Sequence, residues 1–206
     1  MKRKDNNLEV SNTQARDYTE LLIAKQQIGW KRFIDVQAPY RWNLQRLNPG
    51  LTLDLGCGIG RNLINLKGKG VGIDHNLNSI KVARNRGLTV FTPEEFHNST
   101  FNTPQRFDSL LVSHVVEHMN QNQAVELCRK YLTHLKPEGK LIIMTPQEAG
   151  YKSDPTHVEF MNFPKLQNLT SQLGFKVIKE YSFPFPRILG HLFLYNEFVS
   201  VSSRAI

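Results

Sequence analysis

From Leu51 onward, short apolar runs alternate with longer stretches in which apolar residues recur every three or four positions. The short runs suit strands buried on both faces, and the longer stretches suit amphipathic helices. "LTLDL" (51–55), "GVGID" (70–74), "LTVF" (88–91), "FDSLLVS" (107–113), "GKLIIMTP" (139–146), "FKVIKEYSF" (175–183) and "LFLYNEFVSV" (192–201) read as strands. "RNLINLK" (61–67), "LNSIKVARNRG" (77–87), "NQAVELCRKYLTHLK" (122–136) and "NFPKLQNLTSQLG" (162–174) read as helices, the second closed by Gly87. Strand and helix alternate until the last two strands, which only a loop separates. That order predicts an α/β fold with a seven-stranded, mostly parallel sheet, helices on both faces and an antiparallel last strand. The first fifty residues are helical in pattern, notably "TQARDYTELLIAKQQIGWKRFIDV" ahead of Pro39.

Composition changes this picture little. A chain of 206 residues buries a sizeable core, and Cys57 and Cys128 form no metal-type pair. "MKRKDNNLEV" is followed by polar residues rather than the apolar stretch of a secretory signal, and no apolar run approaches a membrane span. A cytoplasmic protein is expected. The net charge of +8 invites a nucleic-acid partner. Its spread argues for a small-molecule partner instead: Lys and Arg outnumber Asp and Glu by nine to five in residues 1–49, seven to four in 50–106 and ten to nine in 107–206. Only Lys2-Arg3-Lys4 is a true cluster.

The chemistry concentrates at the end of the first strand. In "LTLDLGCGIGRN", Gly56, Gly58 and Gly60 stand between a strand and a helix, where a tight turn or a close ligand needs them. Asp74 ends the second strand, where a carboxylate can accept both hydroxyls of a ribose. Asp54, two residues before the first glycine, would repel a pyrophosphate and suits a ligand with a cationic amino-acid end. Tyr40, Arg41 and Trp42 lie just upstream, and Arg41 is a candidate for pairing with that ligand's carboxylate.

"LDLGCGIGRN", the acidic end of "VGID", "FDSLLVSHVVEHM" and "LKPEGKLIIMTP", taken in this order between Leu51 and Val201, resemble class I S-adenosylmethionine (SAM)-dependent methyltransferases. The resemblance implies a Rossmann-like sheet, with residues 50–206 as the methyltransferase domain and 1–49 as a helical segment over the cofactor site. It implies that Asp54, Gly56, Gly58 and Gly60 line the methionine side and that Asp74 grips the ribose. Adenine contacts are implied in "FTPEEF", from Thr92, Glu94 and Glu95, with Cys57, His75 and Ser113 completing the cofactor set. Cys57 is read as packing rather than as a nucleophile, and Cys128 as core.

Methyl transfer from a sulfonium is an in-line displacement, so the protein mainly aligns the acceptor and takes its proton where needed. "SHVVEHM" after the fourth strand supplies His114, Glu117 and His118, which share one face if a helix starts at Ser113. "QEAGYKSDPTHVEFM" after the fifth adds Glu148, Asp154, His157 and Glu159. His114, Glu117, His118 and His157 are a candidate divalent-metal set, similar in spacing to small-RNA 2′-O-methyltransferases that hold magnesium through Glu-x-x-Glu-His and a later histidine. His114 replaces the first glutamate, which opens the site to manganese and softer metals as well as magnesium. Alternatively, one of His114, His118 and His157 is a metal-free base, or the group braces the cofactor loop. "YSFPFPRILGHLFLYNEF" either lines an acceptor pocket or packs the edge of the sheet, and packing is the reading preferred. The expected activity is O-methylation of a hydroxyl on a small polar acceptor such as a sugar or glycan precursor. RNA 2′-O-methylation and a catalytically silent SAM-binding regulator are the alternatives.

Overall fold

In β1 (Thr52–Leu55) every residue is buried, and in β4 (Phe107–Ser113) all but two are, so these apolar runs form the middle of a sheet. The computed structural model describes residues 35–205; the helical pattern read for residues 1–34 lies outside them. β1 pairs in parallel with β4 on one side and with β2 (Gly70–Ile73) on the other, and β2 pairs in parallel with β3 (Val90–Phe91). β5 (Leu135–Pro146) pairs in parallel with β4. The last strand, β7 (Glu197–Arg204), inserts between β5 and β6 (Phe175–Phe183) and runs antiparallel to both. The seven-stranded order is β3-β2-β1-β4-β5-β7-β6, with the antiparallel last strand that the sequence predicts.

Side chains alternate across this sheet, as the period of two requires. Leu110, Val112, Leu141 and Ile143 face one core, which α5 (Gln121–Tyr131) and α7 (Phe163–Gln172) cover with residues such as Val125, Cys128, Leu166 and Leu169. Leu111, Ile142, Met144 and Val201 face the other, covered by Leu44 of α1 (Ala38–Arg46), Leu63 of α2 (Arg61–Asn65) and Ile80 of α3 (Leu77–Asn85). α4 (Pro93–His97) and α6 (Glu148–Lys152) are single turns after β3 and β5.

The structure corrects two boundaries. "LTHLK" is not helical to its end: α5 stops at Tyr131, a 3-10 turn covers Leu132–His134, and β5 starts at Leu135. The last strand begins at Glu197 rather than Leu192. Asn196 explains this, because its side chain donates to Gln147 Oε1 and Ser182 Oγ, both at 2.9 Å, and accepts from the Phe185 backbone N–H at 2.9 Å. That knot holds the preceding chain outside the sheet, and Leu192 is left 80% exposed instead of packing.

Phe198 anchors β7 to the helical layer through edge-on contacts with Phe163 at 4.7 Å and Phe160 at 5.9 Å between ring centroids. Phe198→Ala is expected to destabilise the protein by about 3–5 kcal/mol, read from the midpoint of urea unfolding.

Candidate active site

The parallel strands deliver their last residues to one edge of the sheet, where ligands bind in doubly wound folds. The glycine loop leaves β1 with left-handed φ values of +68° at Gly56, +52° at Gly58 and +82° at Gly60. A Cβ on Gly56 would also sit 2.4 Å from Val115 Cγ2, so conformation and space both require glycine there. The loop is tied to β2 by the Gly56 N–H, which donates to the Ile73 carbonyl at 2.8 Å, and by the Gly58 N–H, which donates to Asp74 Oδ2 at 2.7 Å. Asp74 Oδ1 accepts from the Asn76 N–H at 2.8 Å.

These segments and the carboxyl ends of β4 and β5 enclose a cavity of about 800 Å³. Of the residues singled out from the sequence, Tyr40, Gly56, Cys57, Gly58, Asp74, His75, Ser113, His114, His118 and His157 line it. Asp54, Gly60 and Glu117 stand behind the wall, and Arg41, Thr92, Glu94 and Glu95 face elsewhere. Arg41 pairs with Asp35, whereas Arg61, at the start of α2, borders the cavity. Thr92 and Glu95 form the reciprocal N-terminal cap of α4, and Glu95 also pairs with Arg84 at 2.6 Å; Glu94 sits in the same first turn. Pro93, between them, borders the cavity. Cys57 is wedged where a Cβ on Gly72 would meet its Sγ at 2.5 Å, and burial raises its thiol well above the ordinary value. That favours packing over nucleophilic chemistry.

Asp54 is 1% exposed, and both its carboxylate oxygens lack a hydrogen-bond partner among the described residues. Burial lifts its pKa to about 8; Asn62 and Arg61 pull it down, while Asp74 pushes it up. A buried, unpartnered carboxyl beneath a glycine loop fits a ligand that brings its own ammonium group, as the methionine end of SAM does.

The chain after β4 departs from expectation. His114 takes a left-handed φ of +57°, and only Val116–His118 coil, as a 3-10 turn. No α-helix starts at Ser113, because the His114 N–H is held by the Met144 carbonyl at 2.9 Å, and the shared helical face is not formed. His114 instead lies between two carboxylates, its Nε2 at 2.7 Å from Glu197 Oε1 and its Nδ1 at 3.5 Å from Glu117 Oε1. Burial of the ring opposes charge, but Glu117 and Glu197 outweigh it and raise the His114 pKa to about 10.

Glu117, His118 and His157 do converge, with ligand atoms all within 4.8 Å of one another. Glu117 is fully buried, and neither of its oxygens has a hydrogen-bond partner among the described residues. His157 Nδ1 lies 2.7 Å from the Tyr151 carbonyl and His118 Nδ1 lies 3.2 Å from the Thr156 carbonyl. A carbonyl only accepts, so each Nδ1 carries a proton, and in a neutral ring the lone pair is then on Nε2. Burial, opposed by Glu117, lowers the His118 pKa and favours that neutral form. Two such imidazoles with a buried carboxylate fit a divalent cation. The other acids of the second cluster are engaged: Glu148 with Arg187, Asp154 with Thr156, and Glu159 with Lys165.

Glu197, a cavity residue not singled out within the stretch 181–198, comes from the strand running against the others. Because β7 is antiparallel, its first residue lies at the functional edge, paired in register with Pro146. The only signal in sequence is that order of strands.

A family model described as a methyltransferase domain matches residues 30–180. No curated protein matches the chain. Among solved structures, a SAM-dependent methyltransferase from Archaeoglobus fulgidus shares 19% identity, with 91% of this chain and 100% of that one covered at a TM-score of 0.67. A magnesium protoporphyrin IX methyltransferase from Synechocystis PCC 6803 with bound S-adenosylhomocysteine (SAH) shares 14%, covering 98% and 100% at 0.67. A 1,6-didemethyltoxoflavin-N1-methyltransferase from Burkholderia thailandensis shares 16%, covering 100% and 93% at 0.60.

Gly56→Ala is expected to weaken SAH binding at least about tenfold, equivalent to roughly 1.4 kcal/mol, in a calorimetric titration. A carboxyl raised by folding stabilises the native state below its unfolded pKa and loses that contribution as pH climbs through the folded value. Ligand-free wild type is therefore expected to lose stability relative to Asp54→Asn between about pH 5 and 8, by up to about 1.4 kcal/mol per pH unit in urea unfolding.

Proposed function

The chain belongs to the class I SAM-dependent methyltransferases, and on that premise we propose that it methylates a hydroxyl of a small polar acceptor, such as a sugar or glycan precursor, with help from a divalent metal. The observation that carries the metal is Glu117: a fully buried carboxylate with no hydrogen bond among the described residues, whose oxygen converges with ring nitrogens of His118 and His157 within 4.8 Å.

SAM brings a methyl group already activated on its sulfonium, so the chain's task is placement. Gly56 and Gly58 let the backbone approach the cofactor, and Asp54 answers the ammonium of its methionine end. Arg61 replaces Arg41 as the partner for the carboxylate, since Arg41 is paired with Asp35. Each Asp74 oxygen accepts one backbone N–H and keeps a lone pair for a ribose hydroxyl. Pro93 offers the adenine a flat contact, because the neighbouring Thr92 and Glu95 side chains cap α4.

At the acceptor end, Glu117, His118 and His157 would hold the metal, whose Lewis acidity lowers a hydroxyl's pKa. Two nitrogens and a carboxylate suit manganese better than magnesium, which prefers all-oxygen surroundings. His114 is not a ligand in this reading, because both its ring nitrogens face carboxylates. Three side chains would leave such a metal open to oxygen ligands from an acceptor, which is compatible with a diol. An enclosed space of about 800 Å³ supports a small acceptor beside the cofactor. Among the described residues no helix is long and apolar enough to cross a membrane. The methyltransferases compared above name a porphyrin and a toxoflavin precursor, so fold alone does not choose the acceptor.

The test is transfer of labelled methyl from SAM to a panel of glycosides, nucleotide sugars and a short RNA. Label is expected on a sugar hydroxyl, falling at least about tenfold with a chelator and returning with manganese, within the range that activation of an acceptor contributes. In His157→Ala, manganese should restore nothing. Transfer indifferent to chelation would remove the metal from the reading. Label on RNA, falling steeply with salt, would replace the sugar. SAH binding with no transfer to any acceptor would favour the silent regulator.

A further inference from the structure

Glu197 and Glu117 reach the same imidazole from opposite sides of the sheet edge. Glu197 opens β7, is 8% exposed, and has its main chain fixed by Gln147, whose Nε2 donates to the Glu197 carbonyl at 3.0 Å. Its Oε1 lies 2.7 Å from His114 Nε2, and the other nitrogen of that ring, Nδ1, lies 3.5 Å from Glu117 Oε1. His114 sits in a left-handed conformation that non-glycine residues seldom adopt, so the surroundings fix the place of this ring. His157 Nε2 lies 4.0 Å from Glu117 Oε1, and His118 shares the cluster; both are candidate ligands.

We infer that Glu197 is a positioning residue for the metal site: by clamping His114 from behind, it aims the His114 Nδ1 at Glu117 and so orients the carboxylate that meets the metal. This rests on the metal reading given above. Glu117 is fully buried with no hydrogen bond among the described residues, so the imidazoles around it, His114 first among them at 3.5 Å, decide how its carboxylate lies. His114 with both nitrogens so engaged has no lone pair for a cation. The histidine that occupies a ligand's place in the sequence pattern thus serves as the link between Glu197 and the ligand. Groups behind metal ligands of this kind typically change metal affinity by about 10–100-fold when removed.

Manganese titration of metal-stripped, SAH-saturated full-length protein tests this, with SAH affinity measured in parallel. Wild type is expected to take up one manganese ion, and His157→Ala none. Glu197→Leu should bind manganese about 10–100-fold more weakly with unchanged SAH affinity. Glu197→Gln, which can still accept from His114, should lose less. Wild-type manganese affinity in Glu197→Leu would overturn the inference while leaving the metal reading intact. Parallel loss of SAH and manganese binding would also overturn it, because Glu197 would then only hold β7 in place. Absence of manganese binding in wild type would remove the metal reading and the inference with it.

Discussion

Two buried carboxyl groups, Asp54 and Glu117, have no hydrogen-bond partner among the described residues, and the functional edge of the sheet is arranged around both. Burying an acid with so little hydrogen bonding is among the more destabilising things a fold can do, worth several kcal/mol per ion even after relaxation, and His114 beside Glu117 and Asn62 beside Asp54 offset only part of it. Here the acids stand at the exits of adjacent parallel strands: Asp54 within β1, and Glu117 four residues past the end of β4. For Asp54 the unbound protein relieves the penalty by favouring the protonated form, as the rise to about 8 expresses. Each acid supplies, in a low dielectric, one strong preference for positive charge. They divide the cavity into an end suited to an amino-acid cation and an end suited to a metal or an imidazolium.

The sheet was legible because β1, most of β4 and the second half of β5, from Leu141 on, are buried on both faces, so they read as apolar runs and the glycine loop follows the first of them. Asp54, Gly56, Gly58 and Asp74 were legible for the same reason: local sequence fixes where each lies relative to a strand end. Local signals also misled where two readings shared residues. "TPEE" marks a helix cap as well as a cofactor contact, and in the structure Thr92 and Glu95 cap α4. "SHVVEHM" has helical spacing, yet His114 keeps ladder pairing with Met144 and breaks the helix before it starts.

Glu197 was illegible for a different reason. It lies 83 residues from His114, and only the insertion of an antiparallel β7 between β5 and β6 brings the start of that strand to the cavity. Arg61 and Arg41 show the same limit on a smaller scale. Both stand near the glycine loop in sequence, and the choice between them depends on Asp35 occupying one of them. Pairings that turn on a third residue are not written in spacing.

Glu117 also acts through its main chain. Its carbonyl accepts the N–H groups of Val158 at 2.8 Å and Glu159 at 3.1 Å, so the residue that points a carboxylate inward also berths the loop carrying His157. Attachment of the loop is thereby independent of what side chain stands at position 117. Architecture and chemistry are uncoupled at one residue, and the donor type at that position is free to drift, by evolution or by hand, while the geometry of the remaining histidines is inherited unchanged. The hold on the loop thus comes from a group that every amino acid carries.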